Sequence, residues 1–120
     1  ATMRQSTLLR RRALFDDALE AIERGYGDES LSLGSVAHAI GTSRRQLQRV
    51  FRERRTSFRA ELQRARMTRA AELLQSEALP VAVVARAVGY RQPGQFSKAF
   101  RRHHGRAPSE LRAGTRSLAA

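Results

Sequence analysis

Residues 36–41 read Val36-Ala37-His38-Ala39-Ile40-Gly41, and residues 84–89 read Val84-Ala85-Arg86-Ala87-Val88-Gly89. The same apolar pattern closes on the same glycine, 48 residues apart. The match continues beyond that glycine: Leu47, Arg49, Phe51 and Arg52 return 49 residues on as Phe96, Lys98, Phe100 and Arg101, and Glu61 and Leu62 return as Glu110 and Leu111. Self-similarity at a fixed period marks one supersecondary unit used twice. In each copy, apolar residues three and four apart predict a short helix ending at glycine and a longer helix after it. The one-residue change of offset falls in the turn between them. Each unit is therefore a short helix, a glycine-containing turn and a longer helix with a basic outer face, the build of a helix-turn-helix that enters duplex DNA.

Working outward, the first unit covers about 32–55. Ser32 can cap the short helix through Leu33, Val36, Ala37 and Ile40, and Ser43-Arg44-Arg45-Gln46 predicts a capping box, with the serine accepting from the third helical amide and the glutamine reaching back. In the helix that follows, Leu47, Val50 and Phe51 face inward, and Arg45, Gln48, Arg49 and Arg52 share the opposite face. A linker helix over about 57–77 carries Phe58, Leu62, Ala65, Met67, Ala70, Leu73 and Leu74. At 1.5 Å per residue it is about 30 Å long, close to the roughly 34 Å between successive major-groove faces, so one chain is expected to reach two adjacent groove segments. The second unit covers about 80–104, with Val81, Val84, Ala85 and Val88 after Pro80, and Phe96, Ala99 and Phe100 after Pro93. Upstream, Leu14, Phe15, Ala18, Leu19 and Ile22 predict a first helix over 8–24, ending at Gly25, with Asp28 and Glu29 in the loop beyond. A last short helix fits Ser109 to Arg112. No segment alternates apolar and polar residues. The expected class is all-α with seven helices; residues 1–7 read as a linker or tail and 114–120 as a C-terminal tail.

A chain of 120 residues and 13.5 kDa forms one compact domain or two very small ones, burying about two thirds of its surface. That supports one core and excludes a catalytic domain beside a regulatory one. With no cysteine, disulfides and thiolate chemistry are absent. No apolar run approaches the roughly 20 residues of a membrane span, and Ala1 to Arg12 lacks the pattern of a signal peptide, so an unexported cytoplasmic protein is expected. The net charge of +12 arises from 23 basic and 11 acidic residues. It is localised: 1–40 carries 5 Arg against 6 acids, 41–70 carries 10 against 2, and 71–120 carries 8 basic against 3 acidic. Such a footprint calls for a polyanion. All the basic residues but Lys98 are Arg, which fits either a GC-rich genome or a demand for bidentate contacts to phosphate and guanine.

The run Gly89, Tyr90, then Gln95, Phe96, Ser97, Lys98, Ala99, Phe100, Arg101, Arg102, followed by Gly105, Pro108 and Leu111, resembles the signature region of the AraC/XylS transcription regulators. Arg66, Met67, Ala70, Leu73 and Leu74 fit that family's linker helix, so the resemblance covers roughly residues 8–113. It implies two helix-turn-helix units bridged by a long helix, in a bacterial regulator that binds double-stranded DNA and contacts RNA polymerase. Carried over by position, the first recognition helix would present Arg45, Gln48 and Arg49 to base edges, with Arg52 alongside and Arg44 near phosphate. The matching positions of the second are Gly94, Ser97 and Lys98, with Arg101, Gln92 and Gln95 at or near the backbone. This set departs from the family: Gly94 has no side chain where a reader is common, Gln92 replaces a small capping residue, and Leu111 replaces an aromatic. The first unit is therefore expected to carry most base discrimination. Many members also carry a separate effector-sensing domain; the opening at Ala1 and the basic segment Arg10 to Arg12, which fits the end of an interdomain linker, suggest such a domain is missing from this chain.

Other features read plainly. His103 and His104 are adjacent and diverge by about 100° on a helix, and His38 is distant, so no metal or cofactor is expected and both fall at the surface or groove edge. Asp16, Asp17, Glu20 and Glu23 share one helix, and no phosphate loop, nucleophile elbow or zinc-protease motif occurs; no catalytic residue is assigned and no enzyme is expected. Phe58, Phe96 and Phe100 sit at core spacing rather than as a base-stacking platform. The apolar stripes of the basic helices are needed for the core, which leaves none for a membrane. Two other readings stay open: a non-specific basic nucleic-acid-binding module, and a domain accessory to an enzyme.

Overall fold

The computed structural model describes residues 2–76 and 78–112. They are all-α: α1 (Thr2–Gly25), α2 (Leu33–Ala39), α3 (Arg44–Glu53), α4 (Phe58–Ser76), α5 (Val81–Ala87), α6 (Pro93–His104) and a seventh helix, α7, described over 108–112. Among the described residues there is no strand, and no helix is long and apolar enough to cross a membrane. The expected tail 114–120 and the end of the linker helix at 77 lie outside the described residues. Helix α1 starts six residues earlier than its apolar spacing predicts. Met3, Arg4 and Gln5 are good helix formers that carry no apolar stripe, so periodicity cannot register them.

Where the length supports one core, the chain builds two. One unit comprises α1, α2, α3 and the start of α4; the other comprises the rest of α4, α5, α6 and α7, together with the connecting residues Tyr26–Glu29. The first core is Leu14, Ala18 and Ile22 of α1, Val36 and Ala37 of α2, Leu47, Val50 and Phe51 of α3, and Leu62 of α4. Phe51 meets Phe15 and Phe58 edge-on at 5.6 and 6.3 Å. Phe58, expected in the core, is only half-buried, because it opens α4 at the rim of the unit. The second core gathers Met67, Ala70, Leu73 and Leu74 of α4 with Val84, Ala85, Val88, Phe96, Phe100 and Leu111. Leu111 thus fills the place expected of an aromatic, and Tyr90 adds an edge contact to Phe96 at 5.7 Å. A continuous α4 can serve two cores because Leu62 faces one and Met67, Ala70, Leu73 and Leu74 the other.

The repeat is reproduced bond for bond where each short helix ends. Gly41 and Gly89 stand at φ +76° and +93°, values that cost glycine little. In the first unit Thr42 N–H donates to Ala37 O at 2.9 Å and Gly41 N–H to His38 O at 3.2 Å; in the second, Tyr90 N–H donates to Ala85 O at 2.9 Å and Gly89 N–H to Arg86 O at 3.1 Å. Both are Schellman closures, which satisfy the last carbonyls and turn the chain into the longer helix that follows. The starts differ. Ser32 and Ser35 form a complete capping box, each hydroxyl accepting from the other's amide at 3.0 Å. At α3 only half of the expected box forms: Ser43 Oγ accepts from Gln46 N–H at 3.1 Å. The Gln46 carboxamide does not reach back, because its oxygen accepts instead from Thr42 Oγ1 at 2.8 Å.

Candidate nucleic-acid interface

A helix with a buried stripe can offer only its other face to a partner, and α3 divides cleanly. Leu47, Val50 and Phe51 are buried, the first with no exposed surface. Arg44, Arg45, Gln48, Arg49 and Arg52 are all exposed. The core anchors fix the roll of the helix, so the spacing of three and four places Arg45, Gln48, Arg49 and Arg52 along one outward strip. None of the four α3 arginines is ion-paired among the described residues. The nearest acid in sequence, Glu53, is taken by Arg11 of α1 at 3.1 Å. Arg54, Arg55 and Arg59 are exposed as well, although the Arg54 guanidinium lies 4.5 Å over the Phe15 ring. Unpaired guanidiniums on one fixed face repel one another and favour an anion opposite them.

In the second unit, α6 buries Phe96 and Phe100 and exposes Gln92, Gln95, Lys98 and Arg101, with Ser97 half-buried. Gln92, at the N-cap, makes no side-chain capping bond. Open space surrounds Gly94: a Cβ there would meet nothing within 4 Å. Arg101 lies 3.9 Å from Glu110, which partly balances its charge. Lys98 is exposed and unpaired among the described residues. Of the positions marked by the sequence, α3 thus presents several free cations and α6 far fewer.

Two features escape sequence reading. The connection Tyr26–Glu29 is bound into the second unit: Arg66 donates from Nε to Tyr26 O at 2.9 Å and from a terminal nitrogen to Asp28 O at 3.0 Å, and Arg91 donates from Nε to Glu29 at 2.6 Å. Burial lowers the Arg66 pKa, against smaller opposing effects of Tyr90 and Asp28, while the Glu29 hydrogen bond raises that of Arg91. Nothing periodic links Tyr26 to Arg66 forty residues away. The second feature is that Arg10 and Arg11, on the first turns of the helix expected over 8–24, lie against α3, Arg11 through its pair with Glu53 and both at one hollow with Gln46, Arg49 and Val50; the spacing within α1 carries no signal of which helix it meets.

His104 corrects an expectation. It is not at the surface or groove edge but half-buried, its ring 4.4 Å from that of Phe100 and its Nε2 2.9 Å from Met67 O. A carbonyl only accepts, so Nε2 carries the proton. His103 is exposed; desolvation first, and then the charges of His104 and Arg64, lower its pKa.

Residues 36–114 match a family described as a helix-turn-helix domain. Over 89 residues the chain is 40% identical to the RCS-specific HTH-type transcriptional activator RclR of Escherichia coli (strain K12), an alignment covering 73% of this chain and 30% of that protein. Among solved structures it is similar to the C-terminal domain of AraT, a response regulator from Geobacillus stearothermophilus, with 34% identity, a TM-score of 0.81 and 84% of each chain covered. It is also similar to the DNA-binding domain of AdpA, a global transcriptional factor solved in complex with a target DNA, with 26% identity and a TM-score of 0.76 over 85% of this chain and 96% of that one. The chain spans about a third of the length of the curated relatives it matches.

Proposed function

The chain belongs to the AraC/XylS family of transcription regulators, as a DNA-binding domain of that type, and from this premise we propose that it binds a specific sequence of double-stranded DNA, with α3 in one major-groove segment and α6 in an adjacent one. The observation that carries the reading is the outward strip of α3, where Arg45, Gln48 and Arg49 stand exposed on a helix whose roll is fixed by buried Leu47 and Phe51. Rigid presentation matters because bidentate recognition demands both distance and plane. Arg45 and Arg49 can each donate two hydrogen bonds to guanine O6 and N7, and Gln48 can pair with adenine N6 and N7. Arg44 and Arg52 take phosphates, displacing counterions and making affinity fall with salt by a slope of about 0.9 per phosphate.

The second unit contributes less discrimination. Ser97 and Lys98 reach base edges, Gly94 offers only backbone, and Gln92, Gln95 and Arg101 hold the sugar-phosphate chain. A non-specific basic module would need no such asymmetry between the units. We propose further that the intact regulator contacts RNA polymerase and senses an effector through a separate domain, in keeping with the greater length of its relatives.

Arg45→Ala and Arg49→Ala test the reading. Each is expected to lose about 1 to 3 kcal/mol on the preferred duplex and to relax the preference at one base position. An unchanged base preference in both variants would overturn it.

A further inference from the structure

Helix α1 lies against α3 within the first unit: Arg11 pairs with Glu53, and Phe15 packs on Phe51 and beneath Arg54. Toward the start of α1 the two helices leave a small solvent-open hollow of about 60 Å³, lined by Thr7, Arg10, Arg11 and Leu14 of α1 and by Gln46, Arg49 and Val50 of α3. Three of the seven lining residues are arginines, and no acid is among them. Glu53 balances Arg11 alone. Arg10 and Arg49 are both exposed and unpaired among the described residues, so two positive groups from different helices border one concavity with nothing to offset them. Like charges held around a hollow make it a place for an oxyanion, and a guanidinium's fork of donors suits phosphate oxygens.

We infer that α1 is part of the DNA interface, and that this hollow takes a backbone phosphodiester next to the groove segment entered by α3, with Arg10 as the added phosphate contact. The inference rests on the proposed duplex binding and extends it to a helix that the helix-turn-helix pattern leaves out. Its chemistry follows from the position of Arg49, which lies on the outward strip of α3 and also borders the hollow. An anion seated there meets Arg49 from one side and Arg10 from the other. Arg10 carries no base information; it adds affinity and fixes the roll of the unit on the duplex.

Arg10→Ala and Arg12→Ala separate this contact from general charge, because each removes one positive group from α1 but Arg12 does not line the hollow. Affinity is measured between about 50 and 200 mM salt, on the preferred duplex and on an unrelated one, after circular dichroism has shown that both variants fold. Arg10→Ala is expected to bind both duplexes about 3- to 10-fold more weakly, to reduce the salt slope by about 0.9, and to keep the wild-type base preference. Arg12→Ala is expected to match wild type. Equal losses in the two variants, or an unchanged slope for Arg10→Ala, would overturn the inference. So would a titration in which inorganic phosphate perturbs Arg10 and Arg49 while Arg10→Ala binds DNA normally, which would make the hollow a small-anion site. Absence of any sequence preference in the wild-type chain would instead refute the proposed specific function, leaving the slope comparison intact as a test of Arg10.

Discussion

Gly41 and Gly89 are equivalent in the repeat and make the same pair of closing hydrogen bonds, yet alanine at the two positions should have very different consequences. At Gly41, φ +76°, an added Cβ meets nothing within 4 Å. The cost is only that of a left-handed alanine, about 1 to 2 kcal/mol, less about 0.4 to 1 kcal/mol returned by stiffening the unfolded chain. A net loss of about 1 kcal/mol follows. At Gly89, φ +93°, the same atom would lie 2.6 Å from Tyr26 O and 3.0 Å from two nitrogens of Arg66. Backbone on one side and a half-buried guanidinium on the other must move, and they are bonded to each other at 2.9 Å. Weakening that charged hydrogen bond adds up to about 1.5 to 3 kcal/mol, so Gly89→Ala should lose about 2 to 4 kcal/mol in all. Urea denaturation followed by circular dichroism, with midpoint and slope both recorded, measures the difference. Equal losses, or a larger one at Gly41, would refute the role given to the Tyr26–Arg66 contact.

Three more outcomes are expected. Phe51→Ala and Phe100→Ala each open a cavity at a side chain with almost no exposed surface and should cost about 3 to 5 kcal/mol; an unaltered denaturation curve would refute their burial. Arg55 closes α3 at φ 56°, in the left-handed region without being glycine, so Arg55→Gly should raise stability by about 0.5 to 1 kcal/mol, and a lower denaturation midpoint would contradict this. The lowered pKa of His103 means that the unfolded chain binds its proton first as pH falls. Its contribution is present above the ordinary histidine value of about 6.5 and is lost between there and its lower folded value. His103→Gln should therefore flatten the decline of stability in that window, and an unchanged pH profile would tell against it.

Local pattern carried the helices and, apart from the start of α1, most of their ends: glycine after a short apolar helix predicted where α2 and α5 stop, and apolar spacing named the buried residues of α3 and α6. The division of α3 into a core face and an arginine face was legible for the same reason. What escaped has no local pattern. The Tyr26–Glu29 segment reads as an ordinary loop, and only the Arg66 side chain, forty residues on, binds it to the second unit. The Gln46 carboxamide has two near neighbours to choose between, the Ser43 amide and the Thr42 hydroxyl, and sequence spacing cannot rank them. His104 looks like its exposed neighbour His103 until the facing carbonyl of Met67 is known. The hollow between α1 and α3 depends on how two helices more than thirty residues apart pack together, which spacing within either helix does not encode.

The central claim is that two helix-turn-helix units read one duplex, the first with greater discrimination than the second. Selection of binding sites from a random duplex pool by this chain alone, at physiological salt, tests it most directly. The expected motif has two segments one helical turn apart, sharply defined where α3 binds and loosely defined where α6 binds. Enrichment of no motif, with equal affinity for every duplex, would contradict the claim.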